Sequence, residues 1–443
     1  MSTNTVKNFY LTETQDSLTG HLLQTWRHSS GFMLKLLPRP RFSRCFAAVT
    51  VPFGSIHADF RVGERDYSVP AGSAHFLEHC IFSRDEEGGL LGGLSRLGAS
   101  ANAYTSHTHT MYYFSTTGSV VEPLNKYLHA LLKPDISPAR IEAERPVILA
   151  ELDMYRDDPD SRLFSDLLEL LYAKHPVRID VGGTHESVSA ITEADLRVIV
   201  DHYYHPSSLS LTIAGDVEAD KILRLLEPLL PTEKIELPLA VPVIEQPLPL
   251  AADNVRAMDV RTASFLVGIK DPLPGTVQLQ GRVLAARQRA GRLVFDTLLS
   301  EASNIHETLL NEGLIHDSFS AQYTCDADFG FAVAGGESEK PEQAGRRLIE
   351  LLVSQWNAGL DAKLFNIQKR AAAGDFLRAL DSIDYSGMVQ ARCNLYPVDL
   401  FDYPLIYDKI ELADLRESFA FIGNPESYSL SIVNPLGGQV NVT

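Results

Sequence analysis

An internal repeat constrains the fold of this chain more than any other feature, because two copies of one segment predict two copies of one domain. The sequence ADLR at 194–197 recurs 219 positions later, at 413–416. The alternating segments LSLTI at 209–213 and YSLSI at 428–432 keep the same offset. We therefore predict a tandem duplication of one α/β domain.

A proline-rich stretch separates the two copies. Six prolines fall between Pro228 and Pro249. Proline removes a backbone N–H donor and disfavours helix in the residue before it, so this stretch should be extended. We predict an N-terminal domain at 1–228, a linker at 229–252 and a C-terminal domain at 253–443.

Each half mixes strands and helices without a regular strand–helix–strand alternation. Segments 46–53 and 110–116 are rich in β-branched and aromatic residues, which predicts strands. Segments 138–156 and 162–173 carry apolar residues at helical spacing. This pattern favours an α+β fold over a doubly wound parallel sheet. We predict two tandem α/β sandwich domains, with mixed, mostly antiparallel sheets packed by helices.

Composition limits the partners and the compartment. The chain has 57 acidic and 39 basic residues and a net charge of −18, so we expect no nucleic-acid partner. It contains no apolar run of about 18 residues, so we expect no membrane span. Its four cysteines are scattered, and its first residues lack a basic start followed by an apolar run. We therefore expect a cytoplasmic protein.

The pattern HxxEH, formed by His75, Glu78 and His79, is typical of a zinc site. On a helix these three side chains share one face, and two imidazoles four residues apart can bind one zinc. Glu78 is then placed to take a proton from a bound water. The alternative is a surface helix that carries the pattern by chance, since the chain has 14 histidines. The apolar Phe76 and Leu77 favour a half-buried helix whose polar face lines a cavity.

A catalytic zinc needs a third protein ligand. The segment 141–151 carries Glu144 and Glu151 seven positions apart, which places both on one face of a helix. The residues between them are mostly apolar, and burying unpaired carboxylates is costly, which favours a cation partner. Two solvated glutamates on an amphipathic helix are the alternative. The spacing alone does not decide between these interpretations.

These motifs resemble those of the pitrilysin, insulinase and mitochondrial processing peptidase family, the inverzincin zinc peptidases. The resemblance consists of HxxEH at 75–79, ERPVILAE at 144–151 and GASANAYT at 98–105, whose NAxT part is typical of the family. It extends over the whole first half of the chain. It implies the sandwich fold predicted above and a zinc-dependent endopeptidase activity on peptides or unfolded polypeptides.

The resemblance also implies a role for each motif residue. Zn²⁺ would be bound by His75, His79 and Glu151. Glu78 would be the base that activates water, and Glu144 would support the metal ligands from outside. Zinc would lower the pKa of the bound water toward about 7.

The implied substrate-binding residues lie in both halves. Asn102 and Ala103 would lie on an edge strand that pairs with an extended peptide. Active family members also carry an Arg and a Tyr in the second half, in a segment like RxxxGLxY. The matching segment here, 309–316, has Leu309 and His316 at those positions.

We therefore expect a heterodimer, as in short bacterial members of the family, with this chain as the zinc-bearing subunit. A homologous subunit without zinc would supply the Arg and the Tyr. A homodimer in which His316 replaces the Tyr is the less favoured variant. A non-catalytic interaction subunit is the alternative function, but such a subunit would have no need for the base Glu78.

Overall fold

A computed structural model describes residues 8–82, 89–273 and 279–437. The strands are β1 (Phe9–Gln15), β2 (Leu22–His28), β3 (Met33–Pro38), β4 (Cys45–Val51), β5 (Asp59–Val62), β6 (Arg65–Ser68), β7 (Ala99–Thr105), β8 (Thr110–Thr116), β9 (Ser210–Gly215), β10 (Leu239–Ala240), β11 (Asp253–Met258), β12 (Ser264–Lys270), β13 (Ser320–Cys325), β14 (Gly330–Glu337) and β15 (Tyr428–Pro435). The α-helices are α1 (Ser73–Phe82), α2 (Gly89–Arg96), α3 (Val121–Leu132), α4 (Pro138–Asp157), α5 (Pro159–Leu171), α6 (His185–Ala190), α7 (Glu193–Tyr203), α8 (Ala219–Leu226), α9 (Gly281–Leu299), α10 (Asn304–Asn311), α11 (Pro341–Ala358), α12 (Ala362–Ala379), α13 (Ile383–Cys393), α14 (Asp402–Lys409) and α15 (Leu412–Ser418).

The strands of the described ranges form three sheets. The largest has the order β1-β2-β3-β9-β4-β8-β7, the second has the order β11-β15-β12-β14-β13, and β10, β5 and β6 form a small third sheet. Neighbouring strands are antiparallel except in the pairs β3 with β9 and β11 with β15. The predicted α+β class with mixed, mostly antiparallel sheets is confirmed.

The two large sheets contain the same five-strand arrangement. The order β3-β9-β4-β8-β7 corresponds to β11-β15-β12-β14-β13, and each set has its one parallel pair at the same place. The repeated alternating segments lie in and just before β9 and in β15, and the two ADLR segments lie in α7 and α15. The tandem duplication expected from the sequence is therefore present in the fold.

The chain forms two compact units, and neither is continuous in sequence. The first unit consists of the described residues of Met1–Leu152, Asp180–Val241 and Leu377–Phe401. The second unit consists of the described residues of Asp153–Ile179, Pro242–Phe376 and Asp402–Thr443. Helix α13 of the second repeat thus belongs to the first unit, and α5 of the first repeat belongs to the second. The repeats exchange one helix each.

Each exchanged helix packs on a sheet through a glycine contact. In the first unit, a side chain at Gly387 of α13 would collide with the ring of Phe46 on β4. In the second unit, a methyl group at Gly268 of β12 would lie 2.8 Å from Leu167 Cδ1 of α5. The missing side chains let helix and sheet approach closely, which increases the apolar area removed from water.

The other side of the seven-stranded sheet holds α1. Strand β4 is buried along its whole length, as expected of a central strand covered on both faces. Its residue Val49 belongs to the same hydrophobic core as Phe76 and Leu77 of α1, which are both fully buried. Burying each of these two side chains contributes about 1.5–3 kcal/mol, which holds the apolar face of α1 on the core.

Candidate active site

Helix α1 carries His75, Glu78 and His79, as predicted. The chain turns into the helix at Gly72, whose φ of 85° lies in the region that favours glycine. A side chain at Gly72 would also collide with the carbonyl oxygen of Gly182. The hydroxyl of Ser73 donates to Pro70 O at 2.7 Å, which fixes the start of the helix.

Helix α4 carries Glu144 and Glu151, so both glutamates lie on one helix as predicted. Between them, Arg145 anchors the helix to the following segment of the first unit. Its guanidinium donates to Val188 O at 2.5 Å and to Ile191 O at 2.9 Å. These bonds satisfy a half-buried charge and set the position of α4 opposite α1.

The imidazoles of α1 and one carboxylate of α4 converge. Glu151 Oε2 lies 3.2 Å from His79 Nε2 and 3.8 Å from His75 Nε2. All three potential ligand atoms lie within 4.8 Å of one another. Two ligands of a tetrahedral zinc, with bonds of about 2.0–2.2 Å, are about 3.3 Å apart. The donor set of two imidazole nitrogens and a carboxylate oxygen therefore fits one zinc ion.

Glu144 lies on the other side of the His79 ring. Its Oε2 is 3.8 Å from His79 Nδ1, and its Oε1 is 3.7 Å from Arg140 Nη1. Because Nδ1 is the ring nitrogen that points away from Glu151, Glu144 stands behind the converging donors. At 3.8 Å the two groups form no hydrogen bond, but a carboxylate on this side can orient a ligating histidine by accepting a hydrogen bond from Nδ1.

Glu78 is a half-buried carboxylate beside the converging donors. Thr105 Oγ1 on β7 donates a hydrogen bond of 2.5 Å to Glu78 Oε2. Burial raises the pKa of Glu78 above its ordinary value, although the Thr105 bond and the nearby His79 act in the opposite direction. A carboxylate with a raised pKa is suited to accept and return a proton near neutral pH.

The pKa values of the two histidines of α1 are shifted in opposite directions. Burial, with a smaller contribution from His79, lowers the pKa of His75 to about 4, so its ring is neutral and can bind a metal. Burial would also lower the pKa of His79, but the hydrogen bond and charge of Glu151, together with Glu78 and Glu144, outweigh it and raise this pKa. The surplus of carboxylates around His79 favours a cation at this place.

The predicted substrate-binding residues lie in separate units. Asn102 and Ala103 lie on β7, which is an edge strand of the seven-stranded sheet, as predicted. The side-chain oxygen of Asn102 accepts a 2.9 Å hydrogen bond from the amide of Ala103. In the second unit, His316 is exposed in the segment after α10, and Leu309 is fully buried in α10.

The second repeat has neither histidine nor glutamate at the positions that correspond to the HxxEH residues of the first. The repeat offset of 219 places Val294, Thr297 and Leu298 of α9 opposite His75, Glu78 and His79. All three are buried, and the Thr297 hydroxyl donates to Leu293 O within the helix. Among the described residues, His75, His79 and Glu151 form the one cluster suited to a metal.

Two contacts of the site were not assigned from the sequence. Thr105 belongs to the NAxT segment, but its bond to Glu78 joins a strand to a helix and has no local sequence signal. Gly182 lies against the site, and a methyl group there would lie 2.8 Å from Leu152 Cδ2 and 3.5 Å from His75 Nδ1. The Gly182-Gly183 pair was the available signal for such a close backbone approach.

Comparisons with known proteins agree with this site. A model of the insulinase family, peptidase family M16, matches residues 39–185, and a model of the peptidase M16 inactive domain matches residues 190–371. The uncharacterised zinc protease YmfH of Bacillus subtilis is 31% identical over 401 residues, which cover 88% of this chain and 91% of that protein. The chain belongs to the insulinase (M16) peptidase family. The resemblance drawn from the motifs is confirmed.

Other relatives extend this assignment. An M16-like peptidase from Alicyclobacillus acidocaldarius has a TM-score of 0.87 at 29% identity, over 95% of this chain and all of that one. Pitrilysin has a TM-score of 0.70 at 16% identity, over 97% of this chain and 46% of that one, which shows a shared fold. The mitochondrial-processing peptidase β subunit of Caenorhabditis elegans is 30% identical over 160 residues, 35% of each chain.

The predicted zinc cofactor agrees with the names of two relatives. YmfH and a relative from Mycobacterium leprae are both named zinc proteases. The Mycobacterium leprae relative is 34% identical over 169 residues, which cover 37% of this chain and 38% of that one. The family is one of peptidases, which are hydrolases. No helix in the described ranges is long and apolar enough to cross a bilayer.

Proposed function

We propose that this M16 family member is a zinc-dependent endopeptidase that cleaves peptides or unfolded polypeptides. The convergence of His75, His79 and Glu151 next to the half-buried carboxylate of Glu78 carries the proposal. Three donors around one point bind a metal, and a basic carboxylate beside them serves hydrolysis. A site that only bound zinc for structure would be closed by a fourth protein ligand.

His75, His79 and Glu151 would hold the zinc. When bound, zinc supplies a Lewis acid that polarises a peptide carbonyl and lowers the pKa of water. Glu78 takes the proton of the attacking water at its carboxylate and passes it to the amine nitrogen of the leaving group. Glu144 keeps the His79 ring in its ligating orientation from the Nδ1 side.

The peptide would bind along β7. An edge strand has unpaired backbone groups, and an extended peptide can add to it as a further strand. The Asn102 side chain accepts the hydrogen bond of the Ala103 amide, so it protects a backbone group that a substrate strand would need. We propose that a bound peptide displaces this contact.

We further propose that the chain works in the cytoplasm as the zinc-bearing subunit of a heterodimer. Leu309 and His316 replace the Arg and Tyr that hold the substrate carbonyl in active family members. A homologous subunit without zinc would supply both side chains. The four cysteines, all within the described ranges, are buried and form no disulfide, which fits a reducing compartment.

The test compares Glu78→Gln and His79→Ala with the unchanged chain, each purified with any homologous subunit that binds it. Zinc content is measured by elemental analysis, and cleavage is measured with a mixture of fluorescence-quenched peptides. We expect about one zinc per chain in the unchanged protein and in Glu78→Gln, and cleavage only in the former. His79→Ala should lose both.

Two results would contradict the proposal. Full cleavage by Glu78→Gln would exclude Glu78 as the base. Failure of the unchanged chain to bind added zinc would favour a non-catalytic interaction subunit that has kept the HxxEH pattern.

A further inference from the structure

Thr105 connects the proposed peptide-binding strand to the proposed base. It is the last residue of β7, and its hydroxyl donates to Glu78 Oε2 at 2.5 Å. A hydrogen bond from a hydroxyl to a carboxylate is charge-assisted and of the short, strong kind. This bond joins a strand to a helix within the first unit.

The neighbouring contacts leave the Thr105 hydroxyl with one good acceptor. Its cross-strand partner is Thr110 on β8, but the two hydroxyl oxygens are 3.5 Å apart, too far for a strong bond. Thr110 donates its own proton to Phe53 O at 2.9 Å. The Thr105 side chain is β-branched and stiff, so its hydroxyl stays directed at Glu78.

We propose that Thr105 is a positioning residue for the base, an inference that rests on the function proposed above. By bonding Oε2, Thr105 holds the Glu78 carboxylate in one rotamer and leaves Oε1 to accept the proton of the attacking water. Because Thr105 lies three residues after Asn102 on the same strand, one element holds both the peptide and the base. A carboxylate that rotates freely spends little time in the reactive geometry.

The test removes the hydroxyl and keeps the shape of the side chain. In the zinc-loaded full chain, assayed with any homologous subunit that binds it, Thr105→Val should lower kcat by about 10–100-fold, as for other groups that orient a catalytic residue. KM should change by less than about twofold, because no contact with the substrate is lost. Thr105→Ser should recover most of kcat, and zinc content should be equal in all three proteins.

Thr110→Val is the matched control, because it makes the same chemical change at the cross-strand position without a contact to Glu78. It should lower the melting temperature and leave kcat within about twofold of the unchanged chain. A crystal structure of zinc-loaded Thr105→Val provides a readout that does not depend on activity. We expect the Glu78 carboxylate to leave its position in this variant and to keep it in Thr105→Ser.

An unchanged kcat in Thr105→Val, or a Glu78 carboxylate that stays in place without the hydroxyl, would overturn the inference. So would an equal loss of kcat in Thr110→Val. If the unchanged chain binds zinc but cleaves no peptide with any homologous subunit, the proposed function fails instead. The two crystal structures then still decide whether Thr105 positions Glu78.

Discussion

Burial strongly lowers the pKa of His109, a single residue next to the site. It is buried in the turn region between β7 and β8, and both ring nitrogens have neutral partners. Nδ1 lies 2.9 Å from Ser106 Oγ, and Nε2 lies 3.0 Å from Tyr104 OH. Burial, followed by the charges of Arg392 and His57, lowers the pKa of His109 to about 3. The folded protein therefore keeps this ring neutral.

This pKa predicts a loss of stability in acid. Between pH 6.5 and pH 3 the unfolded chain binds a proton at His109 that the folded chain does not, so the free energy of unfolding falls as pH falls. The slope is about 1.4 kcal/mol per pH unit. From pH 7 to pH 5, we expect the free energy of unfolding of the unchanged chain to fall by about 2 kcal/mol more than that of His109→Gln. Urea unfolding at the two pH values measures this difference.

His129→Gln is the control for this measurement, because His129 is exposed on α3. Between the two pH values, His129→Gln should lose as much free energy of unfolding as the unchanged chain. If His109→Gln also loses as much stability as the unchanged chain, then His109 is not the group that titrates.

At the scale of elements, the exchange of α5 and α13 between the repeats organises the two units. On the first sheet, α13 contributes more than apolar contact. Thr50 Oγ1 of β4 donates to Ala391 O at 3.1 Å, and Arg44 forms two hydrogen bonds from Nε and one from Nη2 to the Asp384 carboxylate. These contacts identify the sheet on which α13 packs.

The close approach of α13 to its sheet makes a prediction about Gly387. Gly387→Ala should lower the free energy of unfolding by about 1–3 kcal/mol, because its methyl group overlaps the Phe46 ring and forces one element to shift. Gly374→Ala in α12 is the matched control, since nothing lies near that position. It should raise helix stability by about 0.5–1 kcal/mol.

Thermal and urea unfolding of the two variants measure this difference. Equal stability of both variants would mean that α13 does not pack tightly on β4. A larger loss in Gly374→Ala would contradict the open surroundings that the structure gives this position.

At the scale of the whole molecule, the proposed heterodimer predicts how activity depends on which subunits are present. The chain alone should cleave peptides at least about 100-fold more slowly than with a homologous subunit that carries the Arg and Tyr, because each donor to a reacting carbonyl is worth about 10²–10³ in kcat. Cleavage rates with and without the added subunit, and the molar mass of the complex by light scattering, check this.

His316 separates the heterodimer from the homodimer variant. His316→Ala should leave the rate of the heterodimer within about twofold, because the partner would supply the Tyr. If a homodimer is the active form, His316→Ala should lower its rate by about 10²–10³-fold. If the chain is fully active without a second subunit, and if His316→Ala abolishes that activity, then the active form is a homodimer and not a heterodimer.

Local sequence patterns predicted much of this fold. Strands β4 and β8 and helices α4 and α5 lie where β-branched runs and helical spacing predicted them. HxxEH indicated one helix face, and α1 has that face, because positions i, i+3 and i+4 of a helix are neighbours. The exchange of α5 and α13 had no such signal, because an amphipathic helix shows which face is apolar but not which sheet covers it.

The candidate site also has features that local sequence determines and features that depend on the tertiary structure. By itself, the sequence determined the repeat, the mixed α+β class, the metal-site pattern of α1 and the two glutamates on one face of α4. The tertiary structure placed Glu151 with His75 and His79 and Glu144 behind His79, brought Thr105 to Glu78, and gave His75 and His79 opposite pKa shifts. Periodicity acts within one element, whereas distances between elements and burial depend on how the whole chain packs.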